Sequence, residues 1–214
     1  MIQVIAGCDV SRFESLFDEV FTLRHKIFVE EMKWEDLRRE DEREIDQYDD
    51  EFAVHHIAMR DGRVVGYQRM LSMARPNLLS DVYPHICELE LPATADVWEL
   101  TRYAVHPDCR EGRRSVGTVG TELIAGFVEW GLISGVRKVI IEFEPMWVFR
   151  AMGLGFLPRP LGLPTNIGDQ TIVPTEVTFN ERTLQKIRET MGRSEPVVRF
   201  MGTLAERHRL AAAS

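Results

Sequence analysis

DVWELTRYAV, residues 96–105, is the stretch on which the fold turns. Aromatic, β-branched and aliphatic residues alternate here with polar ones, the period-two pattern of a central β-strand. Strict alternation sets Glu99 and Thr101 on one face with Val97, Tyr103 and Val105, and Arg102 on the other with Trp98 and Leu100. Charges on both faces of a central strand are unusual. A bulge would turn Glu99 and Arg102 toward one cleft, whereas a regular strand leaves them on opposite sides of the sheet.

Downstream, HPDCREGRR (residues 106–114) is a basic, glycine-containing loop, followed by Gly117, Gly120 and a helix to about Gly131. Strand, cationic loop and helix N-terminus together offer free amides, a positive dipole end and guanidinium groups, a natural anion site. The commoner meaning of such a run is a surface loop of solvated arginines. Arg137–Phe143 reads as a continuous apolar strand. Pro145 suits the first turn of a helix carrying Met146, Trp147, Phe149 and Met152 and ending at Gly153 or Gly155. A Pro/Gly-rich connector, Leu157–Gly168, leads to a last strand near Thr171–Phe179. Asn180 then caps a final helix to about Met191, and the tail to Ser214 is expected to be peripheral.

Upstream, Phe52–Arg60 and Arg63–Met73 read as antiparallel strands joined by Asp61-Gly62, a strong hairpin signal. Arg69 lies on an apolar row of the second strand. His55 and His56 point to opposite faces without ligand spacing and read as structural. Arg75–Pro92 is irregular, with room for a short helical turn. Ile2–Ala6 is a first strand, and Ser11 with Glu14 forms a capping box for a helix over 11–31. On that helix Phe13, Leu16, Phe17, Val20, Ile27 and Phe28 make one apolar stripe with Arg24 in its middle. An unpaired buried guanidinium costs several kcal/mol, so Arg24 and Arg69 each demand a carboxylate or a ligand. The acid-rich loop from Lys33 to Glu51 supplies Glu44, Asp46 and Asp49, and Trp34 adds an aromatic face.

At 214 residues, with 44% hydrophobic and 28% charged residues, the chain suits a single domain with a sizeable core. A formal net charge of -8 argues against nucleic acid as a partner. Cys8, Cys87 and Cys109 have no metal-like spacing and read as free thiols in a reducing cytoplasm. The opening MIQVIAGC lacks the basic region and apolar length of a secretion signal, and no stretch is long enough to span a membrane.

Taken in order, Arg24, Phe28, Trp34, Asp46, Asp49, Arg69 and Glu99-Leu-Thr-Arg102 resemble the signature of the acyl-homoserine-lactone synthases, the LuxI-type autoinducer synthases of bacterial quorum sensing. The resemblance covers the N-terminal half closely and continues more loosely to about residue 190. It implies an α/β, GNAT-like acyltransferase fold with a mixed, mainly antiparallel central sheet flanked by helices, spanning residues 1–193, with 194–214 as the appended tail. It also implies the reaction. The amine of S-adenosylmethionine attacks an acyl thioester to form an amide, and the product's carboxylate then displaces methylthioadenosine from its own γ-carbon, closing a lactone. S-Adenosylmethionine is then a substrate, with no cofactor or metal, and the acyl donor is acyl-CoA or acyl carrier protein.

The residues suit those demands. Glu99 is the expected base for the ammonium, with Thr101 as a positioning group. Arg24, Phe28 and Trp34 are the expected S-adenosylmethionine contacts, since a sulfonium favours an aromatic face. Asp46, Asp49, Arg69 and Arg102 read as an ion-pair network shaping the cleft. Arg110, Arg113, Arg114 and Gly117 are assigned to the carrier's phosphates, although the two extra arginines interrupt the usual glycine pattern. Trp98, Tyr103, Ile141, Phe143, Met146, Trp147 and Phe149 are assigned to an acyl pocket, with core filling as the alternative. The strand after Arg137 carries no hydroxyl where a Thr or Ser accompanies 3-oxo signals in the family, so an unsubstituted, short or branched chain is expected. An ordinary GNAT-type N-acyltransferase with another amine acceptor, or a silent binding module, are the other classes. The first has no need of Arg24, Trp34 and the acidic run, and the second would be expected to lose Glu99.

Overall fold

The computed structural model describes residues 1–111 and 117–212. The strands form a mixed, mainly antiparallel sheet flanked by helices, and the chain divides into two compact units. Unit one comprises Met1–Met70, Arg102–Phe127 and Pro196–Ser214; unit two comprises Leu71–Thr101 and Val128–Glu195.

In unit one, β1 (Ile2–Ala6) leads through a 3₁₀ turn (Gly7–Phe13) into α1 (Glu14–Arg24), which widens into a π-helical segment, His25–Glu31. The expected helix over 11–31 is therefore three segments. Ser11 caps nothing, because Asp9 holds the 3₁₀ turn by accepting from the Thr203 amide and hydroxyl, each at 2.7 Å, and from Arg12 at 2.9 Å. The apolar stripe survives the change of pitch. Phe17, Val20, Phe21, Ile27 and Phe28 are buried against Ile5, Ile57 and Tyr67.

β2 (Val54–Arg60) and β3 (Arg63–Ser72) form the hairpin, with Asp61 and Gly62 both at positive φ, 50° and 78°. That pair of left-handed residues matches the strands' twist, as Asp-Gly predicts. β2 pairs antiparallel with β1, and His106 donates its amide to the Val65 carbonyl of β3. A Cβ on Gly66 would lie 2.9 Å from Val119 Cγ1, so glycine lets the following helix close on β3. The tail expected to be peripheral adds β9 (Val198–Phe200), parallel to β1, and α6 (Gly202–Ala212).

Unit two begins with α2 (Leu78–Asp81), capped by Asn77, whose Oδ1 accepts from the Ser80 amide at 2.9 Å. β4 (Val97–Val105) and α3 (Gly117–Ser134) each run through both units. β5 (Lys138–Phe143) lies parallel to the start of β4, with Glu99 opposite Ile140. α4 (Pro145–Gly153) follows, and the connector then yields two short strands, β6 (Leu157–Pro160) and β7 (Thr165–Ile167), both paired antiparallel with β8 (Gln170–Thr178). Pro158 and Pro160 masked β6 in the sequence; an edge strand tolerates proline because one side needs no donors. α5 (Glu181–Met191) is capped by Asn180 as expected, and Gly192 ends it at φ 62°. The buried cluster of this unit is Met73, Leu79, Ile86, Val97, Ile140, Leu161 and Ile172. Among the described residues no helix is long and apolar enough to cross a membrane.

Candidate active site

Arg24 and Arg69, which the sequence could not leave unpaired, converge with Arg102 in unit one. Arg24 has no solvent exposure; its Nε donates to Glu44 at 2.6 Å, and Nη1 and Nη2 donate to the two oxygens of Asp49 at 2.7 and 2.9 Å. Arg69, equally buried, reaches both oxygens of Asp46 at 2.6 and 2.8 Å and Asp49 at 2.8 Å. Arg102 closes the circuit with Glu44 at 3.1 Å and Asp46 at 2.7 Å. Three guanidiniums thus meet three carboxylates, and the cluster is electrically balanced.

The electrostatics follow from that balance. Burial alone would raise Asp49, but the charges of Arg24 and Arg69 hold its carboxyl far below the ordinary range. Asp46 is likewise lowered, burial being outweighed by its hydrogen bond from Arg69. His55 stays neutral because burial pushes it down to about 3, and its Nδ1 is 2.7 Å from the Tyr67 hydroxyl. His56, on the other face, is pushed by burial to about 3 and meets Gln68. Both are structural, as their spacing implied.

Arg24, expected to contact S-adenosylmethionine, holds Glu44 and Asp49 within the network. Glu44, which the sequence offered as an anionic partner with Asp46 and Asp49, takes a place in the network that the resemblance did not assign to it.

Two backbone departures make the arrangement possible. The π-helical segment begins directly after Arg24, and Met32 donates back to Ile27. Such a widening is a frequent feature of functional sites. On β4, Arg102 sits at φ +55°, which costs a non-glycine residue about 1–3 kcal/mol. Alternation would have left Arg102 with Trp98 and Leu100. The left-handed residue breaks it and turns the guanidinium to Glu44 and Asp46, over Phe28 at 5.5 Å and Trp34 at 5.9 Å. Phe28 is buried and stacks on Trp34 at 5.3 Å, while Trp34 keeps 37% of its surface exposed. Of this group, Trp34 is the face left open to a ligand.

Arg110 donates Nε to the Val105 carbonyl and Nη1 to Glu31 at 2.8 Å. Gly117 opens α3 at φ +68°, where a side chain would be strained. Arg113 and Arg114 lie outside the described residues.

In unit two, Glu99 is fully buried and both oxygens are held by backbone: the Leu78 amide donates at 3.0 Å and the Leu79 amide at 2.8 Å. These are the first amides of α2, so the carboxylate is fixed in orientation. Thr101, two residues on, is also buried. The acyl-pocket residues do not gather around Glu99. Trp98 points to α3, edge-on to Trp130 at 5.0 Å, and Ile141 and Phe143 share that face by register. Met146 and Phe149 are 59% and 75% exposed, so they fill no interior; Trp147 is half-buried. Tyr103 lies in unit one and is 38% exposed. Trp98, Ile141 and Phe143 thus share one face of the sheet, opposite to that of Glu99, while Met146 and Phe149 stay exposed.

Comparison with known proteins shows the family. The autoinducer synthase family profile matches residues 9–187. An isovaleryl-homoserine lactone synthase of Bradyrhizobium diazoefficiens is 35% identical over 193 residues, covering 90% of this chain and 86% of the relative. The solved structure of BjaI, a CoA-dependent acyl-homoserine lactone synthase, with SAM and isopentyl-CoA superimposes with a TM-score of 0.87 at 33% identity, covering 98% of this chain and 99% of that one. A Pseudomonas aeruginosa acyl-CoA N-acyltransferase, at 16% identity and a TM-score of 0.54 over 82% of this chain and 97% of that one, shares the fold alone.

Proposed function

The chain belongs to the autoinducer synthase family, and from that premise we propose that it couples S-adenosylmethionine to a short branched or unsubstituted acyl-CoA. It is an acyl-homoserine-lactone synthase, an acyltransferase that makes a quorum-sensing signal. The observation that carries the choice of donor is the 35% identity to a synthase named for an isovaleryl product. The CoA-dependent structural relative, holding isopentyl-CoA, supports the same donor.

Glu99 serves as the base. Its two backbone hydrogen bonds fix the carboxylate's orientation, and it takes the proton of the methionyl ammonium directly or through water. Once deprotonated, the nitrogen attacks the thioester carbonyl and the thiolate departs. The carboxylate of the amide then displaces methylthioadenosine. Trp34, stacked on Phe28, offers the sulfonium an aromatic face. Asp46, Asp49, Arg69 and Arg102, joined by Arg24 and Glu44, form the rigid floor. Arg110, Arg113, Arg114 and Gly117 take the phosphates of the carrier, and Thr101 orients the acyl carbonyl. The unit of function is residues 1–193, with 194–214 as its appended segment, acting in the cytoplasm without a cofactor or metal.

The test is release of methylthioadenosine on mixing the protein with S-adenosylmethionine and a panel of thioesters. Isovaleryl-CoA and unsubstituted short acyl-CoAs should turn over fastest. Preference for a long 3-oxoacyl donor would overturn the acyl assignment, preference for acyl carrier protein the donor, and no methylthioadenosine with any of them the reaction.

A further inference from the structure

Glu142 on β5 is a half-buried titratable group that the mechanism above does not use. Its Oε1 is buried without a hydrogen-bond partner among the described residues, and its own backbone amide is turned toward the carboxyl. Register fixes its neighbour. Glu99 lies opposite Ile140, and Glu142, two residues further along β5, shares that face about 7 Å along the strand. Of the described residues on this side of β5, Lys138 is the cation, and it is paired elsewhere. Pro174 lies opposite on β8, and Glu176 of the same strand is taken by Lys138 at 3.2 Å and Arg159 at 4.0 Å. Cys87, from the segment after the 3₁₀ turn Pro84–Ile86, is pushed up to about 11 by burial and then by Glu142 and Glu99, so it is a neutral thiol.

Two carboxyls close together in a low dielectric do not both ionise. Glu99, with an amide on each oxygen, is the better seat for the negative charge. Resting on the synthase reading, we propose that Glu142 is a positioning residue for Glu99: the two carboxyls act as one pair holding a single proton, and Glu142 carries it. Burial, then the charge of Glu99, keep its carboxyl well above the ordinary carboxylate range, in agreement. The pair suits the proton balance of amide formation. The ammonium nitrogen loses two protons; one goes to the departing thiolate and one must be taken up. A singly protonated pair accepts that proton at Glu99 and passes it to water after turnover, without ever bearing two negative charges. Opposite pKa environments for two neighbouring groups are how acid and base roles are divided in other active sites.

The test has two independent readouts. Infrared difference spectra between wild type and Glu142→Gln at neutral pH should show the carbonyl band of a protonated carboxylic acid in the wild type. That band should be lost in Glu142→Gln and retained in Glu99→Gln. Amide formation should fall at alkaline pH in the wild type, as Glu142 ionises and repels Glu99. Glu142→Gln, with no proton to lose, should lack that limb when each profile is scaled to its own maximum. Glu142→Ala, which removes the donor, should lower kcat by roughly tenfold with KM little changed. Absence of the band, or superimposable pH profiles, overturns the proposal. Because the spectrum needs no turnover, a failed synthase reading would leave the band intact, whereas a failed pair would leave methylthioadenosine release intact.

Discussion

Glu44→Ala separates a buried network from an acidic loop that merely lies over it. Glu44 is fully buried and is the only carboxylate that accepts from both Arg24 and Arg102 among the described residues. Truncation leaves Arg24 Nε without its 2.6 Å partner and strips Arg102 of its contacts at 3.1 Å, while Asp49 and Asp46 still hold the outer nitrogens. Each lost charge-assisted bond is worth about 1.5–3 kcal/mol, and breaking a buried pair costs about 3–5 kcal/mol in measured cases. With roughly 2–4 °C per kcal/mol for a chain of this size, Tm should fall by about 6–20 °C. The assay is thermal and urea unfolding of wild type, Glu44→Ala and Glu35→Ala. Glu35 also pairs with an arginine, Arg38 at 2.6 Å, but both are on the surface, so its removal should leave Tm unchanged. A Glu44→Ala protein that melts with the wild type would refute the argument, because an uncompensated buried guanidinium cannot be free of cost.

Glu99→Gln should lower amide formation by about 10²–10⁴-fold, far more than it weakens substrate binding; an unchanged single-turnover rate would transfer the base role elsewhere. Trp34→Ala should abolish methylthioadenosine release, whereas Lys33→Ala, at an exposed neighbour, should leave it near wild type; a folded Trp34→Ala with full turnover would remove the sulfonium contact. Stability should also depend on pH in a stated direction. His55 and His56 have folded values near 3 against 6.5, so the unfolded chain takes up two protons that the folded one refuses as pH falls below 6.5. Glu142 has the opposite sign, because the folded chain keeps a proton that the unfolded one releases above 4.5. Unfolding free energy should therefore drop as pH falls from 6.5 to 4.5, with Glu142 offsetting part of the histidines' contribution. In Glu142→Gln that slope should steepen, as urea titrations at several pH values will read. Below about pH 4 the lowered Asp46 and Asp49 add to the loss. In hydrogen exchange, amides over 38–43 should exchange fast without ligand, whereas the Glu44 amide, bonded to the Phe21 carbonyl at 3.1 Å, should be protected; uniform protection across the loop would contradict this.

Much of the protein is written in local sequence because the responsible forces are local. Asp61-Gly62 sets its hairpin through backbone sterics, Asn180 sets its helix through a side-chain cap, and the Phe and Val spacing of α1 sets its buried face. A guanidinium in an apolar stripe demands an acid, so Arg24 and Arg69 announced a network before any fold was known. Which acid serves which arginine is another matter. Asp49 is 25 residues from Arg24, and Asp46 is 56 from Arg102, so pairing depends on how the loop is drawn across the strands. Glu44 is indistinguishable from its acidic neighbours until that path is drawn. The left-handed turn at Arg102 is likewise invisible locally, since no intrinsic preference favours it; only the gain from Glu44 and Asp46 offsets its strain. Register likewise decides that Trp98, Ile141 and Phe143 share a face, which bulk alone does not show. The environment of Glu142 is the furthest from sequence, for it depends on which groups the fold brings around a carboxyl rather than on the residue itself. Patterning determined the elements and the demand for charge pairing; tertiary structure decided the partners, because burial and register are properties of the assembled sheet.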